Sequence, residues 1–468
     1  MIPLALSKLI LAAGAVASPD APLDALIASV STDTRQFQPC ALFVALKGER
    51  FDGHDFLGQA KESGALAAVV SETMTDPPLP LVTVPDTLLA LGALARCVRD
   101  ASGAKIVGVT GSVGKTTVRE MLGLVLGARF MTLKGEGNLN NEIGVPVTLL
   151  RLEPGHQAAV VEMAMRGPGE IGYLSRITSP DVAVITNIGL SHVGRLGSIE
   201  AIAQAKAEIF EGIRADGTAI LHRDDPFFTK LARRAPRVFS FGLGSNSDFF
   251  AESIEDRGIE GVRFTARSNR EKVEVSLSTG GLHTVLNALS ALTAGAALGV
   301  SLDAGAAALR DFKAITGRGA RFVCATGALV IDDAYNASHQ SVKAALDLMD
   351  RTPGYPHRTA VLGDMLEMGS YAAEFHRRVG RDAARSSIDR LICVGPESAA
   401  MAEEARVNGL EAVQWFPDSA EAAAAAAGWI VDADLILVKG SNGVRMDRIV
   451  DALRTLAVPL AKTVGARS

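Results

Sequence analysis

Eight consecutive residues, Thr110-Gly111-Ser112-Val113-Gly114-Lys115-Thr116-Thr117, carry the strongest chemical signal in the chain. Two glycines let the backbone turn tightly and aim its N–H groups at an anion, a lysine can bridge phosphates, and the next threonine hydroxyl can ligate Mg²⁺. Together they read as a phosphate-binding loop for ATP. The strict spacing wants a further glycine where Val109 stands, so the reading leans on the strand-like run before the loop and the helical run after it. A metal at such a loop needs a carboxylate at the end of a neighbouring strand. Glu162 closes the run Ala159-Val160-Val161 and suits that role, although position alone leaves a solvated strand-end acid equally open. Farther on, Thr186-Asn187-Ile188-Gly189-Leu190-Ser191-His192 ends another apolar run, and a helical stretch then carries Lys206. Singly, His192 reads as a satisfied loop residue and Lys206 as a solvated helix face. Yet Ala201, Ile202, Ala205, Ile209 and Phe210 form an apolar stripe, and Lys206 lies beside it with Ala203 and Ala207, an unusual place for a lysine.

Strands and helices must bring these residues together. The β-branched run Ile106 to Thr110 enters the loop, a helix is expected over Thr116 to Leu126, and strand-like runs recur at Ala158 to Met163 and Val182 to Thr186. This alternation implies a parallel, doubly wound sheet with helices. Between about Arg237 and Thr279 the pattern changes to short alternating strands (Val262 to Ala266, Val273 to Leu277), read as an antiparallel addition, and the helix Val285 to Leu298 follows. The first hundred residues form a small α/β unit with strands at Leu42 to Leu46, Ala67 to Val70 and Leu81 to Val84 and a helix at Thr87 to Arg99, ending near Ala101-Ser102-Gly103. The last third restarts the alternation at Leu329 to Asp332, Thr359 to Leu362, Leu391 to Val394 and Leu435 to Val438, as a Rossmann-like unit does. The expected fold is therefore α/β in three domains: 1–102, a central phosphate-loop domain 103–316, and 317–468.

Composition agrees. A chain of 468 residues suits roughly three domains, and 48% hydrophobic with 21% charged residues is the balance of a globular protein. With 47 basic against 52 acidic side chains and no basic block, nucleic acid is not an expected partner. Cys40, Cys97, Cys324 and Cys393 lie far apart, without metal spacing, and read as small buried hydrophobes in a reducing compartment. The apolar stretch Leu9 to Ala17 imitates a secretion signal but is short, and is better read as an amphipathic first helix. No run approaches the roughly 20 apolar residues of a membrane span, and a cytoplasmic location is expected.

Ordered along the chain, these motifs resemble the Mur ligase family, the ATP-dependent amide-forming enzymes of peptidoglycan precursor synthesis. The resemblance rests on Thr110 to Thr117, the run Gly137-Asn138-Leu139-Asn140-Asn141-Glu142-Ile143-Gly144-Val145-Pro146, Glu162, Asn187 to His192, Ala205 to Phe210, His283 to Asn287, Gly317-Arg318 and Asp332-Asp333-Ala334-Tyr335-Asn336. It implies that Lys206 is carbamylated by CO₂ and, with His192 and Glu162, binds a second Mg²⁺, while Thr116 and Glu162 hold the first. It further implies that Asn287 faces adenine, that Arg318, Asp333 and Asn336 lie on the nucleotide side, and that Asn138, Asn140 and Asn141 face the substrate cleft. Val30 to Arg35 and Leu42 to His54 resemble the family's UDP-binding domain, making Ser31, Asp33, Arg35 and Lys47 candidate UDP contacts. Leu362 to Gly369 and Val438 to Ser441, with no Asp-Asn-Pro-Arg motif, look like the member that adds D-alanyl-D-alanine. The carboxylate substrate would then be UDP-N-acetylmuramoyl-tripeptide, activated as an acyl phosphate, with two Mg²⁺ and Lys115 neutralising the transferred charge. A monomer is expected, with a third domain that closes over the nucleotide and opens without ligands.

Three positions depart from the family pattern. Ser338-His339 stand where Asn-Pro is usual, Val193-Gly194 where Leu-Glu is more common, and Asn442 where an arginine is common. Other readings are a ligase adding a single amino acid and a phosphate-loop ATPase or switch. The second leaves Lys206, His192 and the UDP-like segment without a role. A folate-directed ligase fits the amino-terminal unit poorly, and an inactive scaffold would not need the full catalytic set.

Overall fold

The computed structural model describes residues 1–35, 37–38, 40–324, 327–430 and 434–456. The amino-terminal apolar stretch folds as the helix Leu6–Ala13, which stops where Gly14 turns left-handed, and Val16–Ala17 then joins a sheet. That sheet has the order Val16–Ala17, Leu81–Thr83, Ala65–Val70, Ala41–Val44, Ser29–Ser31, parallel apart from the first pair. Its helix Thr87–Ala101 is started by the Asp86 carboxylate, which accepts from the N–H groups of Leu88 and Leu89. The same helix is pinned to the central domain: Arg99, buried, donates to the carbonyls of Thr178 and Ser179 at 2.9 Å each and pairs with Asp181.

The central sheet has nine strands, in the order Lys272–Leu277, Val262–Ser268, Phe249–Asp256, Val238–Gly242, Thr218–His222, Val182–Ile185, Lys105–Thr110, Ala158–Glu162, Thr132–Lys134. The antiparallel addition begins later than the pattern change near Arg237 suggests. Val238–Gly242 pairs in parallel with both neighbours, and only the last two pairings are antiparallel. The helix Phe228–Ala232 supplies the crossover that a parallel pairing needs. Helices Lys115–Gly127 and Leu282–Ala297 pack on one face around Val118, Leu122, Ala288 and Leu292.

The third sheet runs Ala320–Val323, Leu329–Asp333, Leu435–Lys439, Arg358–Gly363, Arg390–Val394, Ala412–Phe416. The four expected strands are its parallel centre. The two edge strands, Ala320–Val323 and Ala412–Phe416, escape the pattern because they have no fully buried residue to mark them. This domain touches the central one at several places. Gly194 N–H donates to the Glu367 carbonyl at 3.0 Å, and Arg351 pairs with Asp256 at 2.7 Å. The two domains thus lie in contact in this structure. Cys324 and Cys393 are buried as expected, but Cys40 is exposed, because it occupies a left-handed turn ahead of a strand.

Candidate active site

The strand Lys105–Thr110 delivers the loop, and the helix Lys115–Gly127 leaves it. Val109 is wholly buried within the strand, so the backbone turns only from Gly111. Gly114 then adopts φ 85°, and a Cβ there would lie 2.6 Å from Asn287 Oδ1, so the loop and the helix carrying Asn287 meet through the missing side chain. The strand-end segment 186–189 braces the loop from behind. Val113 N–H donates to Asn187 Oδ1 at 3.1 Å, Asn187 Nδ2 returns a bond to the Val113 carbonyl at 3.1 Å, and Ser112 Oγ bonds the Gly189 carbonyl at 3.0 Å. Lys115 Nζ folds back onto the Gly111 carbonyl at 2.9 Å. Burial lowers its pKa, an effect that the Glu162 charge partly opposes.

Glu162 ends the adjacent parallel strand and is buried. Its carboxylate accepts from Thr116 Oγ1 at 2.9 Å and from Asn140 Nδ2 at 2.9 Å, with Arg119 Nη1 at 3.3 Å. Hydroxyl and carboxylate therefore converge beside the phosphate loop, an oxygen pair that fits a hard divalent cation. Lys206 lies close by on the helix Ile199–Ala207, only 1% exposed, with no hydrogen bond or ion pair to a described residue. Burial, reinforced by the Lys115 charge, depresses its pKa well below the ordinary lysine range. His192 sits left-handed at φ 68°, and its pKa is also lowered by burial and by Lys115, with Glu367 opposing. Its Nδ1 contacts Glu367 Oε2 at 2.5 Å. Among the described residues no three His, Cys, Asp or Glu side chains are arranged to hold a metal ion. A second cation site here needs another anion, which Lys206 supplies only if it is modified.

A cavity of about 1050 Å³ lies between the central and third domains. It brings together Ser112 through Thr117, Asn138, Asn140, Asn141, Glu162, His192 and Asn287 from one side, and Arg318, Asp333 and Asn336 from the other. Across it, Lys439 Nζ bonds Asp333 Oδ2 at 2.7 Å, and the Arg318 guanidinium lies over the Tyr335 ring at 4.1 Å. Three expected residues fall behind this wall: Thr110 and Gly111, because they belong to the strand and its turn, and Lys206, because its helix packs beneath His192.

Ser31, Asp33, Arg35 and Lys47 form a separate group where parallel strands of the first sheet end. Arg35 holds the Asp33 carboxylate at 2.7 Å and lowers its pKa to about 2, while Lys47 pairs with Asp52 at 3.1 Å.

Sequence reasoning missed Arg119, Glu367 and Lys439 as site residues. Arg119 could have been found as a charge between Val118 and Met121 on the buried face of the loop helix. The other two depend on how the third domain docks. At the departures from the family pattern, Ser338 caps the helix His339–Asp350 in a reciprocal box with Ser341, and His339 Nε2 meets Asp382 at 3.1 Å. Capping bonds thus hold the segment where a proline ring usually would.

A phosphate loop and buried carboxylate on one domain, faced across a cavity by cations and carboxylates of another, define a nucleotide-dependent enzyme whose site is shared between domains. Family models described as Mur ligase family, catalytic domain, as Mur ligase middle domain and as Mur ligase, glutamate ligase domain match residues 26–99, 109–295 and 317–442. The chain belongs to the Mur ligase family. It is 39% identical over 92% of its length, and 94% of the relative's, to UDP-N-acetylmuramoyl-tripeptide--D-alanyl-D-alanine ligase of Escherichia coli (strain K12). Among solved structures, MurF from Acinetobacter baumannii superposes with a TM-score of 0.88 at 33% identity, covering 97% of this chain and 99% of that one. MurF ligase from Thermotoga maritima in complex with ADP gives 0.81 at 28% identity, covering 91% and 97%.

Proposed function

We propose that this enzyme joins D-alanyl-D-alanine to UDP-N-acetylmuramoyl-tripeptide, driven by ATP cleavage to ADP and phosphate, and so makes the UDP-linked pentapeptide precursor of peptidoglycan. The observation that carries the reading is the single cavity in which the nucleotide loop, Glu162 and His192 face Arg318 and Asp333, in a chain similar along nearly its whole length to ligases of that name. About 1050 Å³ is at the upper end of ordinary ligand pockets and suits a nucleotide with a peptide beside it.

The tripeptide carboxylate attacks the γ-phosphorus, ADP leaves, and the dipeptide amine displaces phosphate from the acyl phosphate as the amide forms and the amine loses a proton. The loop N–H groups and Lys115 hold the phosphates in line and offset the charge that builds up there. Asn287 and Arg318 orient the nucleoside end, with Asp333 held by Lys439 and with Asn336 beside it. Thr116 with Glu162 would hold one Mg²⁺, and His192, Glu162 and a carbamylated Lys206 a second. Bound there, Mg²⁺ neutralises the phosphate oxygens. A buried lysine without an anionic partner favours its neutral amine, and the neutral amine is the form that adds CO₂. As that nitrogen bonds CO₂ it gives up a proton, and the resulting carbamate would supply the missing anionic ligand.

The first domain, divided from the second at residue 102 and the second from the third at 316, would anchor uridine and diphosphate through Ser31, Asp33, Arg35 and Lys47. Asn138, Asn140 and Asn141 would meet the peptide. One chain supplies every proposed group, so a monomer suffices. Among the described residues no helix is long and apolar enough to cross a membrane. Because ATP is the co-substrate, the reading places the enzyme in the cytoplasm. Phosphate release with ATP, Mg²⁺ and UDP-muramoyl tripeptide should depend on D-alanyl-D-alanine and yield the pentapeptide. Release with every amine absent would overturn ligation in favour of an ATPase, and release driven by a single free amino acid would overturn the choice of dipeptide.

A further inference from the structure

His192 and Glu367 belong to different domains, yet each stands in the left-handed region, at φ 68° and 63°. Non-glycine residues rarely adopt that backbone, and such strain persists where the surroundings over-determine it. Here the two strained residues meet. Glu367 Oε2 contacts His192 Nδ1 at 2.5 Å, and Glu367 Oε1 meets Arg195 Nη2 at 3.0 Å. The Glu367 carbonyl accepts from Gly194 N–H at 3.0 Å. Gly194 makes this approach possible: a Cβ there would lie 2.4 Å from Gly369 N and 2.6 Å from the Glu367 carbonyl oxygen. His192, Gly194 and Arg195 thus present one docking edge to a single glutamate, with Val193 buried between them.

We propose that Glu367 is a positioning residue for His192. By accepting the Nδ1 proton it fixes the tautomer whose Nε2 lone pair is available to a cation, so that docking of the third domain and divalent-cation binding at His192 form one coupled equilibrium. His192 Nε2 makes no hydrogen bond to a described residue. A carboxylate on the far nitrogen of a metal-binding histidine orients the ring and raises its basicity, and by linkage whatever the cation gains from docking, docking gains from the cation. The proposal rests on the reading of His192 as a ligand.

The test uses the full chain in bicarbonate buffer with Mn²⁺ as the probe, its affinity followed by electron paramagnetic resonance, and with histidine ¹⁵N spectra assigned through His192→Ala. The wild-type spectrum should show His192 protonated on Nδ1. Glu367→Ala should mix the tautomers and weaken Mn²⁺ binding by about ten- to a hundredfold. Glu367→Gln, whose amide oxygen can still accept the proton, should restore most of both. Scattering should show Mn²⁺ compacting the wild type and Glu367→Gln more than Glu367→Ala. Unchanged Mn²⁺ affinity in His192→Ala would overturn the ligand reading itself. Weakening in His192→Ala with unchanged affinity and tautomer in Glu367→Ala would overturn the role of Glu367 alone.

Discussion

Replacing Lys206 by methionine should make the protein more stable and the enzyme inactive. Methionine keeps an unbranched side chain of similar length in a site that is 1% exposed and removes only the amine, which has no described partner. Burying a polar group without a hydrogen bond costs about 1–3 kcal/mol in proteins, so the variant should gain that much in urea unfolding, with an unchanged slope. Ligation should fall by about 10²–10³, the scale for losing one electrostatic element of a phosphoryl-transfer site. The pH dependence has a definite sign. Burial depresses the Lys206 pKa in the folded state, so between that pKa and the unfolded value of about 10.4 the unfolded chain binds more protons and wild-type stability rises with pH. The methionine variant lacks this rise. Its advantage is therefore flat and greatest below the folded pKa and shrinks toward alkaline pH. Bicarbonate should stabilise the wild type and not the variant, because it adds a ligand only to the folded state. Turnover unchanged in Lys206→Met, or a variant less stable than the wild type at neutral pH, would refute the picture of an unpartnered amine awaiting CO₂.

Other substitutions separate the remaining parts. Glu162→Gln should shift the Mg²⁺ dependence of phosphate release to higher concentration and, by leaving Arg119 with a weaker partner, cost about 1–3 kcal/mol in urea unfolding. Gly194→Ala, with its Cβ driven into the backbone of 367 and 369, should enlarge the radius of gyration and lower kcat while ATP affinity of the central domain, read by equilibrium binding, is kept. Ser338→Ala should lose about 1 kcal/mol, seen as a lower unfolding midpoint, through the helix cap. Arg35→Ala and Lys47→Ala should raise KM for the UDP substrate with kcat little changed, as expected for groups that hold substrate far from the reacting atoms.

Much of this was legible in the residues, and the reasons differ by element. The loop at 110–117 announces itself because glycine, lysine and threonine each do something no other side chain does there. The central strands of each sheet are legible because they are buried on both faces and so read as unbroken apolar runs. Edge strands such as Ala412–Phe416 are half exposed and leave no such trace, and the parallel pairing of Val238–Gly242 is set by partners far away in sequence. Lys206 was visible as an oddity on an apolar helix face, but its isolation was not, since the absence of a partner is a statement about every neighbour at once. Glu367 lay in a motif already picked out, yet its meeting with His192 joins residues 175 apart and depends on how two folded domains dock.

The helix Thr87–Ala101 belongs by sequence to the amino-terminal unit, yet Arg99 and Arg96 tie it to the carbonyls of 176–179, and Leu91, Leu94 and Val98 share one core with Leu149, Leu174 and Ile177. The molecule therefore cannot be treated as three interchangeable cassettes. A chimera grafted at residue 102 would carry off part of the recipient's own interior and deliver a helix shaped for another host. The workable seam lies before Asp86, where the cap begins. Exchange of substrate specificity between relatives should be sought there, with the helix left to the protein whose helices Gly144–Leu149 and Glu170–Thr178 it packs against.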